Sequence, residues 1–389
     1  MKILWISSLA WKFDSGYMYE LQKSGAVSGS FFQQSIIEGL ESNKGVEVDI
    51  LCEYPSSNCV KKTFFWSHSS GSNDICIGGG YSRLFKVYKL IKEIKKIKEK
   101  KYDLVCVYLI HTPYLAGMSY AKYKFKGSKS LLIVPDLPQY MDMSLSNKKI
   151  KRILKKLDYL LIKRLIKNVD GNILFSEAMK ESKFIEEEQF IVLEGVYSPQ
   201  GLELTTLPTH DQYIVYAGTL HYNIGIEELI AAMNFVNKDI KLKIFGDGDY
   251  SFEIKKIAKT NPRIEYLGFI EREKLFEYEK QALAIVNTRN PEDEYTKYSF
   301  PSKLFECLAS GAPVISTKLE GIPNEYYNYL YTIEDYSVES IARKINEVSL
   351  IKNDERRVRG EEAIRFIKEE KNKEIQGLKV YEFIKSLCR

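Results

Sequence analysis

Short apolar runs alternate with longer amphipathic stretches along the whole chain, and this alternation limits what the chain can fold into. The apolar runs are rich in β-branched residues, as strands buried on both faces are. In the first half they cover Lys2–Ser7, Val46–Cys52, Asp103–Leu109, Ser130–Val134, Gly171–Phe175 and Gln189–Leu193. Helical stretches lie between them, near 31–41, 81–100, 113–122, 148–167 and 176–184. Strands that alternate with helices in this way predict a doubly wound parallel sheet.

The second half repeats this plan. Strands are predicted at Tyr213–Ala217, Ile240–Phe245, Ile264–Leu267, Leu283–Asn287, Pro313–Thr317 and Tyr329–Ile333, and helices at 225–237, 251–260, 271–281, 302–310, 337–350 and 355–371. Because 389 residues exceed one ordinary core, the chain is predicted to form two domains, 1–200 and 201–372. A C-terminal helix at 373–389 is a candidate to cross back to the first domain. The two sheets are expected to face each other across a cleft, with ligands at the carboxyl ends of their strands.

The composition is that of a globular protein of a reducing, cytoplasmic compartment. No apolar run reaches the roughly 20 residues that a membrane span needs. The opening MKILWISSLA reads as a first strand rather than a signal peptide, because polar residues follow it without a cleavage signal. Six cysteines without CxxC spacing and four scattered histidines predict buried thiols and no metal site. The chain has a net charge of +5, and its basic excess lies in 1–198, so this half is expected to face something anionic.

The stretch YSFPSKLFECLASGAPVIST, Tyr298–Thr317, predicts a loop, a short helix, a glycine turn and a buried strand. Pro301 and Ser302 suit the start of the helix. The amides near Ser302 and Lys303 would then lie at a helix N-terminus, which favours a phosphate. Glu306 would lie one turn further in, placed to accept hydrogen bonds from hydroxyls. The local pattern equally allows a packed helix whose Glu306 faces water.

This stretch resembles the donor-site segment of bacterial glycosyltransferases of the GT-B fold, especially the family 4-like enzymes that build surface polysaccharides. The similarity is continuous along SFPSKLFECLASGAPVIST, with Cys307 in place of the usual aromatic residue. The resemblance implies an α/β architecture of two Rossmann-like doubly wound domains that face each other across a cleft. The first would bind the acceptor and the second the nucleotide sugar.

The resemblance also implies roles for individual residues of this stretch. Glu306 would hold the ribose hydroxyls of the donor, and Pro301, Ser302 and Lys303 would lie against the rest of it. Many family members have a second glutamate at the position of Tyr298. Recognition of the donor sugar is therefore expected to rely on the backbone amides around Ser299–Ser302.

Three earlier segments resemble further donor-domain motifs. In YAGTLHYNIGIEELIAAM the matching residues are Gly218 and Thr219. The family usually has Arg at the position of Thr219 and Lys at that of Ile224, so two diphosphate-binding cations are missing and Lys303 is expected to carry more of the phosphate charge. KIFGDGDY resembles a glycine turn near the donor base, with Gly246 first. IEYLGFI resembles the segment whose backbone, beside Phe269, would face the base.

The first half contributes three candidate residues. Gly29 belongs to a run of small residues ahead of the predicted helix, and the equivalent loop in the family lies against the donor diphosphate and the acceptor. His111 and Asp136 each follow a predicted strand, where a doubly wound fold builds its sites, and they are the candidate catalytic residues. The family often has a histidine near the Asp136 position, where Pro135 stands here. Each of the three could equally be an ordinary turn or cap residue.

The resemblance implies a retaining, metal-independent transfer of a sugar from a nucleotide diphosphate sugar to a glycan or lipid-linked acceptor, in surface polysaccharide or glycolipid biosynthesis. No cofactor and no metal are expected, because fixed amides, helix N-termini and a cation can stabilise the departing diphosphate. An inverting transfer reaction is one alternative. Two others are a nucleotide-sugar 2-epimerase on the same fold and a non-catalytic subunit that binds a sugar nucleotide or a polysaccharide. Nucleic-acid binding is not expected, since the aromatic residues do not interleave with the basic runs.

Two basic stretches predict contact with an anionic membrane surface. The stretch 148–167 has apolar residues at helical spacing, including Ile150, Leu157 and Leu161, with nine Lys or Arg and a single acid, Asp158. The stretch 81–101 has nine more basic residues against two acids. A basic amphipathic helix favours the surface of an anionic bilayer, and a lipid-linked acceptor would be met there. The alternative is a helix that packs on the core and exposes a solvated basic face.

Overall fold

The computed structural model describes residues 1–11, 26–55, 62–97, 101–140, 149–185, 189–197, 212–222 and 224–389, with the backbone alone at 26–28 and 149–154. The chain divides into two compact units. Met1–Ser198 together with Lys373–Arg389 form the first unit, and Pro199–Asn372 form the second. The predicted domain boundary between residues 200 and 201 lies outside the described residues, as do 98–100 and 148 of the basic stretches.

The described strands of the first unit form one eight-stranded sheet. They are β1 Lys2–Ser8, β2 Glu47–Glu53, β3 Phe64–Trp66, β4 Asp74–Cys76, β5 Leu104–Tyr108, β6 Lys129–Val134, β7 Gly171–Leu174 and β8 Phe190–Val192. Their order is β3-β4-β2-β1-β5-β6-β7-β8, and only the β3–β4 ladder is antiparallel among these strands. The six predicted strands are confirmed to within one residue at each end. The sequence did not predict β3 and β4, because three residues are too few to show a period.

The described helices of the first unit are α1 Ala26–Glu41, α2 Arg83–Lys96, α3 Thr112–Lys124 and α4 Lys149–Ile166, and α11 Lys373–Leu387 joins them from the end of the chain. The helix predicted at 176–184 is wrong: a short 3-10 turn, Glu177–Glu181, replaces it. Only Ala178 and Met179 of that turn are buried, so the stretch lacks the repeated apolar stripe that a packed helix needs.

Helix α11 packs on α1 with its backbone in contact. A β-carbon at Gly39 would lie 2.0 Å from the carbonyl oxygen of Lys373, and one at Gly377 would lie 2.3 Å from the carbonyl carbon of Gly39. Val380 and Ile384 are fully buried in the core of the first unit. The two glycines therefore allow a helix from the end of the chain to complete a core that begins at β1.

The second unit contains a six-stranded parallel sheet with the order β11-β10-β9-β12-β13-β14. Its strands are β9 Tyr213–Ala217, β10 Lys241–Phe245, β11 Ile264–Gly268, β12 Ala284–Asn287, β13 Val314–Thr317 and β14 Leu330–Ile333. Its described helices are α5 Ile226–Ala232, α6 Ser251–Thr260, α7 Arg272–Gln281, α8 Leu304–Ala309, α9 Val338–Ser349 and α10 Asn353–Glu370. This strand order is that of a Rossmann sheet, in which the direction of winding reverses between β9 and β12. Ligands of such sheets bind beyond the carboxyl ends of the strands at that reversal.

Candidate functional site

Glu306 lies on α8 and is held by two cations. Arg272 Nε donates to Glu306 Oε1 at 2.6 Å, and Lys303 Nζ donates to Glu306 Oε2, also at 2.6 Å. Burial alone would raise the pKa of Glu306, but the charges of Lys303 and Arg272 outweigh it and lower the pKa to about 2. Glu306 is therefore an ionised carboxylate, and its remaining lone pairs can accept further hydrogen bonds from hydroxyl groups.

A second carboxylate, Glu279, stands behind Lys303. It is fully buried, and its Oε1 lies 3.5 Å from Lys303 Nζ. Burial raises the pKa of Glu279 to about 7, against the opposing charge of Lys303. Burial would lower the pKa of Lys303, but Glu279 and Glu306 outweigh it and raise the pKa. Lys303 is thus a charged ammonium fixed between the side chains of Glu306 and Glu279.

The start of α8 differs from the prediction. The helix begins at Leu304, and Ser302 does not cap it. Pro301 is buried and its carbonyl accepts from the amide of Leu304 at 2.8 Å, while Ser302 is exposed. A single turn therefore precedes a helix of six residues, because proline directs the chain into the turn and the apolar stripe begins only at Leu304.

The three predicted glycine-containing loops meet at the carboxyl ends of β9, β10 and β11. The amide of Gly218 donates to the carbonyl of Phe245 at 3.1 Å, and that of Gly246 donates to the carbonyl of Gly268 at 2.9 Å. Gly246 has φ of 127°, and a β-carbon there would lie 1.8 Å from the carbonyl oxygen of Gly218. Only glycine allows this approach. Thr219, which follows Gly218, is exposed.

Arg272 connects these loops to α8. Phe269 follows Gly268 at the end of β11 and is partly buried, and α7 begins three residues later at Arg272. The contact between Arg272 and Glu306 therefore joins the segment predicted to face the base to the residue predicted to hold the ribose. The sequence resemblance did not include Arg272 or Glu279. Their spacing of seven residues, which puts both on one face of α7, was the available signal.

In the first unit, Gly29 and Asp136 both lie near Tyr108, the last residue of β5. A β-carbon at Gly29 would lie 3.1 Å from the Tyr108 hydroxyl oxygen. Burial raises the pKa of Tyr108, and the charge of Asp136 raises it further. Asp136 itself is exposed beyond the end of β6. Gly29 lies inside α1 rather than in a loop ahead of it, because the helix starts earlier than predicted, at Ala26.

His111 lies between the end of β5 and the start of α3, beyond the carboxyl end of that strand. Its ring centroid lies 4.9 Å from that of Tyr114. Burial, together with the charges of Lys86 and Arg83, lowers the pKa of His111 to about 4. His111 is consequently neutral near pH 7, and its buried Nδ1 has no hydrogen-bond partner among the described residues. A neutral imidazole could accept or donate a proton.

Most of the second unit is similar to a known protein family. Residues 203–366 match the family model described as glycosyl transferases group 1. A search of the curated proteins finds no match. Among solved structures, a sucrose-phosphate synthase from Thermosynechococcus elongatus has a TM-score of 0.69 at 16% identity, with 100% of this chain and 99% of that chain covered. The apo form of the lipopolysaccharide outer core galactosyltransferase WaaB has a TM-score of 0.64 at 16% identity, with 99% of each chain covered. Anabaena HepE in complex with UDP has a TM-score of 0.60 at 13% identity, with 99% of this chain and 100% of that chain covered.

These findings confirm the predicted fold: the chain has the architecture of GT-B glycosyltransferases. Residues 203–366, which match the group 1 glycosyl transferase model, lie within the second unit and include Glu306.

Within the described residues, no helix is long and apolar enough to cross a membrane. In the same part of the chain, no three His, Cys, Asp or Glu side chains come together in a group that could hold a metal ion.

Proposed function

We propose that this protein transfers a sugar from a nucleoside diphosphate sugar to an acceptor hydroxyl. The observation that carries the proposal is the ionised Glu306, held by Arg272 and Lys303 beside the glycine loops at the strand ends of a group 1 glycosyl transferase domain. A carboxylate in this position can bind the two ribose hydroxyls. The nearby cations can meet the charge of the diphosphate.

The proposed reaction is retaining and uses no metal. Its electrostatic requirement is to stabilise the leaving diphosphate, which fixed cations and amides can do. Lys303 supports this role because the side chains of Glu306 and Glu279 hold its ammonium in place. The leaving phosphate oxygen would help to take the proton of the acceptor. On the acceptor side, His111, Asp136 and Gly29 of the first unit are the candidate residues, and the proposed pathway is surface polysaccharide or glycolipid biosynthesis.

A screen of nucleotides and nucleotide sugars tests the function. HepE and a mutant of S. aureus TarM were each solved in complex with UDP, so UDP sugars are the first to try. Thermal stabilisation identifies the donor, since a ligand at a hundred times its dissociation constant adds about 2.7 kcal/mol. Slow release of the nucleoside diphosphate in water would distinguish a transferase from a binding subunit. Binding without any hydrolysis or transfer would contradict the proposal, and sugar epimerisation would favour the epimerase.

Replacing Lys303 by methionine is expected to weaken binding of the nucleoside diphosphate at least tenfold and to leave binding of the nucleoside nearly unchanged. The variant keeps the alkyl stem but removes the charge that faces the phosphates, worth about 1.5–3 kcal/mol. Calorimetry with UDP and uridine measures both affinities. Lys274→Met, an exposed lysine on α7, is the control. Equal losses for UDP and uridine would show that Lys303 only shapes the pocket.

A membrane-binding surface is also proposed for the first unit. On α4, the side chains of Leu157, Leu160 and Leu161 are 58%, 61% and 45% exposed, although helical spacing allowed them a core position. On α2, Leu84 is 85% exposed. The side chains of Ile150, Ile153 and Leu154 lie outside the described residues. Exposed leucines among lysines match an anionic bilayer better than a core-packed helix.

The charges of this surface favour the same partner. Asp158, the only acid of the stretch 148–167, is paired with Arg83 Nη1 of α2 at 2.5 Å and with the Thr112 hydroxyl. Its negative charge is therefore compensated, and the bridge joins α2 to α4. Each of the surrounding lysines adds about 1 kcal/mol to the attraction towards an anionic leaflet. Salt screens this attraction.

We expect the protein to sediment with anionic vesicles at low salt and not with neutral vesicles. Leu160→Asp should abolish most of this binding, because it places a negative charge on the proposed contact face. Leu350→Asp is the matched control, since Leu350 is 83% exposed but lies in the second unit. Equal sedimentation of both variants, or binding that ignores vesicle charge, would contradict the proposal.

A further inference from the structure

Arg289 lies where the winding of the second sheet reverses. It follows the end of β12, whose neighbours in the sheet are β9 and β13. The β9–β12 ladder pairs Ile285 with Val215. If this pairing is continued past the ends of the two strands, Arg289 of the β12 side lies opposite Thr219 of the β9 side. The resemblance placed a diphosphate-binding arginine at the position of Thr219, and this chain lacks it.

The backbone around Arg289 is fixed on both sides. Its amide donates to Thr317 Oγ1 at 3.2 Å, and the same hydroxyl donates to the carbonyl of Arg289 at 2.7 Å. The preceding Thr288 donates from Oγ1 to the carbonyl of Gly225 at 2.7 Å. A β-carbon at Gly225 would lie 1.7 Å from the carbonyl oxygen of Thr288. Arg289 is therefore held against the turn that contains Ile224, where the second missing cation would stand.

Arg289 is partly buried, and no carboxylate among the described residues pairs with its guanidinium. Within the described residues, the guanidinium makes no hydrogen bond and no ion pair. The ionisable groups that feel its charge most clearly are two tyrosines: burial raises the pKa values of Tyr216 and Tyr295, and Arg289 opposes both shifts. A partly buried cation without a carboxylate partner is costly unless an anion binds to it.

We infer that Arg289 binds the diphosphate of the donor and replaces the two cations that are absent at Thr219 and Ile224. The planar guanidinium can bind phosphate oxygens through two parallel hydrogen bonds, which suits a diphosphate. This inference rests on the proposed function for the identity of the ligand, but the anion site itself does not depend on turnover.

The test measures binding of inorganic pyrophosphate, UDP and uridine to the full chain by calorimetry; GDP and ADP replace UDP if they stabilise the protein better. We expect Arg289→Gln to weaken pyrophosphate and UDP at least about tenfold and to leave uridine unchanged. Arg289→Lys should recover part of the loss, because it restores the charge but not the bidentate geometry. Lys274→Gln is the control for a general change in surface charge.

The outcomes of this test distinguish anion binding by Arg289 from the proposed transferase function. If the wild-type protein binds UDP and Arg289→Gln binds it equally well, the inference is wrong and the proposed function stands. If Arg289→Gln weakens uridine as much as UDP, Arg289 shapes the pocket and the inference is also wrong. If pyrophosphate binds through Arg289 but no nucleotide or nucleotide sugar binds or reacts, the anion site stands and the proposed function is wrong. If the wild-type protein binds none of these compounds, both are wrong.

Discussion

Replacing Glu306 by glutamine is expected to weaken binding of the nucleoside diphosphate roughly ten- to hundredfold. Glutamine keeps the shape of the side chain but loses the charge that would accept the ribose hydroxyls, and such a hydrogen bond contributes about 1.5–3 kcal/mol. Calorimetry with UDP and uridine measures the effect, and both ligands should lose affinity because both carry the ribose. Unchanged affinity for either would remove Glu306 from the site.

The control for this variant is Glu277→Gln. Glu277 also pairs with a lysine, Lys280, but its side chain is 58% exposed. Glu306→Gln should lower stability as well, since the carboxylate is paired with Arg272 and Lys303. The lowered pKa of Glu306 means that this contribution is present above about pH 4.5, the ordinary pKa of glutamate, and is lost as the pH falls towards 2. Binding is therefore compared at neutral pH, below the unfolding temperature of each variant.

Replacing Gly246 by alanine is expected to destabilise the second unit by at least about 2–3 kcal/mol. The φ of 127° is strained for any other residue, and the new β-carbon would meet the carbonyl oxygen of Gly218. The loops must then move apart, so nucleotide affinity should fall too. Gly268→Ala is the matched control, because its φ is also positive, at 70°, but only the Tyr266 hydroxyl lies within 4 Å, at 3.9 Å. Equal stability of the two variants would contradict the close approach.

The two units can be followed separately in this experiment. All three tryptophans, Trp5, Trp11 and Trp66, lie in the first unit. Thermal unfolding followed by tryptophan fluorescence therefore reports the first unit, whereas far-ultraviolet circular dichroism reports both. We expect Gly246→Ala to shift the dichroism transition and to leave the fluorescence transition nearly unchanged.

The strands were predicted well because a buried parallel strand is a local signal: a short run of β-branched residues is enough to mark it. The short edge strands β3 and β4 were missed because their three residues form a sheet only through pairing with each other and with β2. The prediction of a helix at 176–184 was wrong because the composition of this stretch suits a helix, but its apolar residues do not form a stripe along one face.

The candidate site shows the same limit. Glu306 could be selected from its own motif, but its partner Arg272 lies on another helix, and only the fold brings the two side chains together. Arg289 was missed for a similar reason. The sequence around Arg289 contains no motif of a ligand-binding residue. Its position near Thr219 is evident only when β9 and β12 are known to be neighbours in the sheet.

The return of α11 to the first unit has a consequence for how the protein forms during synthesis. Domains generally fold as units while the chain emerges, the N-terminal one first. Here the second unit is one continuous segment, whereas the first lacks α11 until Lys373–Leu387 has been made. The face of α1 around Gly39, which α11 covers in the folded protein, therefore stays uncovered until the entire second unit has been synthesised. The segment that is made later can therefore complete its fold before the segment that is made first.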